Sequence, residues 1–136
     1  MKRLPVAEED RRSVAEWYER WSGFVADVNF KPVRAMFAED VIAFGSKVEV
    51  MTSQTQLEAE QWRSVWPSIE GYRFDTSTLE VVMSPDRLMA MGALIFRSTV
   101  TLMRPSVGAP WICTHSHISL KPGTPVISHG KRPEKV

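Results

Sequence analysis

The run Trp111-Ile112-Cys113-Thr114-His115-Ser116-His117-Ile118-Ser119-Leu120 (WICTHSHISL) is rich in strand formers and follows a turn through Gly108 and Pro110. Side chains of a strand alternate between its two faces. Regular alternation predicts that Trp111, Cys113, His115, His117 and Ser119 share one face. Ile112, Thr114, Ser116, Ile118 and Leu120 then share the other. Two of the chain's 3 histidines therefore stand side by side on one strand, with Cα atoms about 6.5–7 Å apart. If that face lines a cavity, it is where chemistry concentrates.

Reading back from this strand, Arg104–Pro110 is a loose connection and Leu88–Met103 a long strand. Ser84-Pro85-Asp86-Arg87 is a tight turn, and Tyr72–Met83 a further strand, which together predict a three-stranded antiparallel meander. Leu88–Met103 far exceeds the usual strand of five or six residues, so the sheet must coil and leave a concave face. Both faces of this strand are apolar. Leu88, Ala90, Leu94, Phe96, Val100 and Leu102 lie on one, and Met89, Met91, Ala93 and Ile95 on the other until Arg97. Helices can cover only one face, so a second copy of the chain is expected on the other, making a homodimer.

The first half of the chain is helical in period. Val14, Trp17, Tyr18, Trp21, Phe24, Val25 and Val28 form one stripe of a helix over Ala7–Val28. A short helix, Pro32–Phe37, follows, then short strands at Asp40–Phe44 and Val48–Met51. A capping box, Ser53 with Gln56 or Thr55 with Glu58, opens a third helix. Its face is Leu57, Trp62, Val65, Trp66 and Ile69, disturbed at Pro67. Helices and strands are segregated, so the class is α+β, a curved, mostly antiparallel sheet wrapped round three helices of the N-terminal half.

The 136 residues suit one domain, placed at 1–120, with a basic Pro- and Gly-containing tail at 121–136. A net charge of +1 argues against nucleic acid as the main partner. No apolar run reaches the ~20 residues that would cross a bilayer, and the N-terminus has no signal-peptide core. The 1 cysteine forms no internal disulfide and fits the cytoplasm.

His115 and His117 are the catalytic candidates, able to move a proton near neutral pH or to hydrogen-bond a ligand. The alternative is that they are packed polar residues. A metal needs a third ligand, and Asp27, Asp40 and Glu80 stand at no diagnostic spacing, so no metal and no organic cofactor are expected. If Met103 lies across from Trp111, Arg97 faces His117 and Thr99 faces His115. Arg97 then either completes a cationic floor for a carboxylate or phenolate, or pairs with Asp75 or Glu80. Trp17, Tyr18, Trp21, Trp62 and Trp66 are core residues or the apolar walls of a pocket, with Ser119 at its polar end. Cys113 reads as a buried thiol.

Phe37-Ala38-Glu39-Asp40 before a short strand, Arg97-Ser98-Thr99-Val100-Thr101-Leu102, and the W-x-x-x-H-x-H-x-S run at 111–119 resemble the nuclear transport factor 2-like superfamily. Within it the chain is similar to the SnoaL-like and ketosteroid-isomerase-like domains over residues 8–120. The resemblance implies a deep conical pocket and dimerisation through the convex side of the sheet. The steroid-isomerase branch carries a catalytic aspartate where this chain has Gly45, so that activity is not expected. The expectation is a small-molecule-binding domain. If it is an enzyme, it is a cofactor-independent isomerase, lyase or hydrolase acting on a small polar or acidic ligand through a pocket histidine. The rival reading is a non-catalytic association domain with a vestigial pocket.

Overall fold

Helix α1 (Glu8–Ala26) lies against a six-stranded sheet in the computed structural model, which describes residues 1–45, 49–69, 73–95 and 98–119. The 3.6-residue stripe is what α1 buries: Val14, Trp17, Tyr18, Trp21 and Val25, with Glu8, Glu9 and Asp10 in its first turn. One turn of helix, α2 (Phe30–Val33), tightens into a 3-10 turn at Arg34–Met36 and delivers strands β1 (Phe37–Phe44) and β2 (Val50–Met51).

The third helical segment starts where the capping box predicts. The Ser53 hydroxyl accepts from the Gln56 N–H at 3.1 Å, and Gln56 Oε1 accepts from the Thr52 N–H at 3.1 Å. The segment then changes pitch three times. It passes from α3 (Gln54–Leu57) through a π turn (Glu58–Trp62) to α4 (Arg63–Val65), and ends in a 3-10 turn at Trp66–Ser68 around Pro67.

Four strands complete the sheet: β3 (Glu80–Met83), β4 (Met89–Leu94), β5 (Ser98–Met103) and β6 (Ile112–Ile118). The order is β2-β1-β6-β5-β4-β3, antiparallel except for the β1–β6 pair. Two expectations are corrected here. The long strand is a hairpin, with Leu94 opposite Ser98 and Met89 opposite Met103. The sequence between Leu94 and Ser98 holds no glycine, proline or asparagine, so the composition carries no turn signal. Of the strand expected over Tyr72–Met83, the described residues form only Glu80–Met83, preceded by a 3-10 turn at Thr76–Thr78, where Asp75 Oδ1 accepts from the Ser77 N–H and diverts the backbone from the ladder.

The core sits between α1, the third helical segment and the inner face of the sheet. Gly92 of β4 makes the close approach possible. A Cβ there would stand 3.1 Å from the Tyr18 ring, and the Tyr18 hydroxyl donates to the Gly92 carbonyl at 3.3 Å. Trp21 meets Phe37 and Phe74 with ring centroids 5.3 and 4.8 Å apart, and Phe37 meets Trp62 at 4.9 Å. Such pairs contribute about 0.5–1.5 kcal/mol each beyond the area they bury. On the outer face Ile42, Phe44, Met89, Met91 and Met103 stand 38–49% exposed.

Candidate functional site

Strand β6 is not regular. Leu102 of β5 pairs with Cys113, but the next residue, Thr101, pairs with His115. Thr114 is therefore the extra residue of a bulge, and a bulge reverses the alternation beyond it. Trp111 and Cys113 point inward as expected; after the bulge Ser116 is the buried residue and His117 is exposed.

The expected placement of the histidines is thereby corrected. His115 and His117 lie on the outer face of the sheet and do not line the hollow described below. The half-buried His115 donates from Nδ1 to the Ile42 carbonyl at 2.8 Å, because a carbonyl can only accept. The Phe44 ring stands edge-on to both imidazoles, at 5.8 and 5.4 Å between centroids. Thr99 lies opposite His117 rather than His115, two residues off the expected register, and it too is on the outer face. Arg97 lies outside the described residues, as do Tyr72, Leu120 and the tail at 121–136.

The inner face, bare of histidine, closes round a hollow of about 170 Å³. The C-terminal half of α1 supplies Trp21 and Val25. The third helical segment supplies Leu57, Gln61, Trp62, Val65 and Trp66, with Ile69 just beyond it. Phe74 closes one side. The ends of β1 and β6 bring Phe44 and Gly45, then Ser116, Ile118 and Ser119. Of the expected walls, Trp21, Trp62 and Trp66 and the polar Ser119 are in place. Trp17 and Tyr18 are instead core, 3% and 0% exposed, and do not line the hollow.

The sequence reading missed Gln61, Phe74 and Ser116. Gln61 follows no apolar period; the π turn brings it to the same side as Trp62, a pitch change common at functional sites. Its amide lies against Gly45, where a Cβ would come within 2.5 Å of Gln61 Oε1. A side chain at position 45 would require the Gln61 amide to shift. Ser116 was hidden by the bulge.

No ionisable side chain lines the hollow among the described residues. The nearest buried charges belong to Asp10, about 16 Å back along α1 from Trp21 by helix rise. There Asp10 accepts from Arg87 Nε at 2.6 Å and from Arg104 Nη2 at 2.9 Å. These guanidiniums, Arg87 first, hold its carboxyl below the usual carboxylate range against the opposing effect of burial. Arg104 also lies over the Trp111 ring at 4.0 Å. Burial pushes the Cys113 thiol up, so it stays protonated and inert. Among the described residues no group of three or more histidine, cysteine or acidic side chains is placed to hold a metal. No described helix is long and apolar enough to cross a membrane.

Comparison with protein families and with curated proteins finds no match. Solved structures do match. A nuclear transport factor 2-like protein of unknown function from Pseudomonas putida superposes with a TM-score of 0.68 at 20% identity, over 85% of this chain and 89% of that one. A putative calcium/calmodulin-dependent protein kinase II association domain from Xanthomonas campestris gives 0.67 at 19% identity, over 90% and 96%. Aln2 from a Streptomyces species gives 0.65 at 16% identity, over 86% and 94%. At these identities the likeness is one of fold. With its six-stranded mixed sheet and the helices on the inner face, the chain has the nuclear transport factor 2-like fold.

Proposed function

We propose that the protein binds a small organic molecule in the hollow between α1, the third helical segment and the ends of β1 and β6. The observation that carries this reading is the lining itself. It is aromatic and aliphatic, with few polar groups among the described residues: Gln61, Ser116, Ser119 and the indole N–H groups of its tryptophans, the usual composition of a ligand pocket. Neither histidine is among the residues that line the hollow, so this reading assigns them no acid–base role toward its ligand. Screening a small-molecule library by thermal shift tests the reading. A ligand at 100 times its Kd adds about 2.7 kcal/mol of stability. Val65→Phe, which grows into the hollow, should abolish the shift, and His115→Ala and His117→Ala should leave it unchanged. Hits that bind Val65→Phe as well as wild type would place binding elsewhere.

A second reading concerns the outer face and is compatible with the first. Met89, Met91 and Met103 on β4 and β5 are exposed on one side of the sheet, and Ile42 and Phe44 on β1 are exposed on the same side beyond His115 and His117. Clustered apolar exposure of this kind marks an interaction surface, and methionine adapts well to a packed partner. A second copy of the chain is the proposed partner, giving a homodimer through the convex sheet. The association domain among the structural neighbours supports this reading.

A further inference from the structure

The hollow restricts its ligand by volume, charge and one hydroxyl. Its volume is about 170 Å³. A dry engineered cavity of about 150 Å³ holds benzene, whereas pockets for drug-sized molecules run to about 300–1,000 Å³. This volume matches one ring with a small substituent more closely than a drug-sized molecule.

Charge gives the second restriction. The described lining holds tryptophan, phenylalanine, aliphatic side chains, one amide and two serines, and no cation or carboxylate. An ion moved into such a site is stripped of water with no counter-charge, which costs far more than a hydrogen bond returns. Among the described residues nothing would offset an ion's charge, so this lining favours an uncharged occupant.

Ser116 gives the third. The bulge at Thr114 turns it inward, it is 4% exposed, and it lines the hollow. Its hydroxyl can both donate and accept a hydrogen bond. It is placed to meet a polar substituent on a ring held between Trp62, Trp66 and Phe74.

We infer that the hollow takes an uncharged, single-ring aromatic molecule bearing one hydroxyl- or carbonyl-type group, which hydrogen-bonds to Ser116. This rests on the small-molecule reading above and narrows it to a ligand class.

The test uses the full chain at pH 7, with phenol, benzaldehyde, toluene, benzoate, benzylamine and 2-naphthol as probes. Calorimetric titration and thermal shift read the binding. Phenol and benzaldehyde should bind at least tenfold tighter than benzoate or benzylamine, and 2-naphthol should bind more weakly than phenol. Ser116→Ala should weaken phenol about fivefold, one ordinary hydrogen bond, and leave toluene unchanged. Benzoate or benzylamine binding as tightly as phenol overturns the uncharged class. Tighter binding of 2-naphthol overturns the single ring. An equal loss of phenol and toluene in Ser116→Ala overturns the anchor. If none of the probes binds while library hits are still blocked by Val65→Phe, this inference fails and the wider reading stands. If the library also yields no blocked hit, both fail.

Discussion

Single residues carry two unusual local conditions. Val28 has φ 50°, a left-handed conformation that costs an L-residue about 1–2 kcal/mol. Its neighbours explain why the chain accepts it. The Val28 N–H donates to the Val25 carbonyl at 3.2 Å and the Asn29 N–H to the Phe24 carbonyl at 2.9 Å. These are the two bonds of a Schellman ending, which normally uses glycine at this position. Val28→Gly should therefore stabilise the protein by roughly 0.5–1 kcal/mol once the extra freedom of unfolded glycine is subtracted. Denaturant unfolding would show a higher midpoint, and an unchanged or lower one would overturn the argument.

Asp10 is the second case. The Arg104 side chain beside it is only 2% exposed. Removing the carboxylate leaves that charge buried alone, so Asp10→Asn should cost about 3–5 kcal/mol at pH 7. The folded pKa of Asp10 lies below its ordinary value, about 3.9 in an unfolded chain. Its contribution is thus whole above about pH 4 and is lost as the pH falls through the depressed folded value. The stability gap between wild type and Asp10→Asn should close in that range. A gap that stays constant to pH 2 would show that Asp10 is not held ionised by its arginines.

At the scale of the element, the bulge in β6 decides which groups meet the hollow. Deleting Thr114 makes Cys113 and His115 neighbours, and strict alternation then keeps Ser116 inward and the histidines outward. That deletion should fold, at a cost of no more than about 2 kcal/mol. Deleting Ser116 instead leaves the bulge and slips the rest of the strand by one residue, turning His117 inward and Ile118 outward. That variant should lose more than about 4 kcal/mol or fail to fold. Equal stability of the two deletions in denaturant unfolding would contradict the register of β6 against β5. The π turn is the matching device on the helical side, since it sets Gln61 beside Trp62.

For the whole molecule, the two faces of the sheet differ in what covers them. The inner face is sealed by helices except at the hollow, and the outer face presents its methionines and Phe44. If a second copy covers that face, replacing both Met89 and Met91 by lysine sets like charges against an apolar partner and should yield monomers by sedimentation velocity. Thermal shifts by pocket ligands should persist, because neither residue lines the hollow. Wild type sedimenting as a monomer would refute the dimer directly.

Much of the architecture was legible in the residues. The Val14-to-Val25 stripe, the Ser53 cap and the alternation about Leu102 are local patterns, and local patterns report helix, cap and strand. So the α+β class, the burial of the tryptophans and the apolar outer face followed from the chain alone. Other features depended on pairing across distance. The hairpin between Leu94 and Ser98 has no turn residue to announce it. The extra Thr114 shows only when Leu102 and Thr101 are laid beside Cys113 and His115. A strand has a period of two, so one inserted residue exchanges its faces, and no composition or spacing within β6 records the insertion. The hydrogen-bond ladder of the neighbouring strand decided that serine, not histidine, faces the hollow.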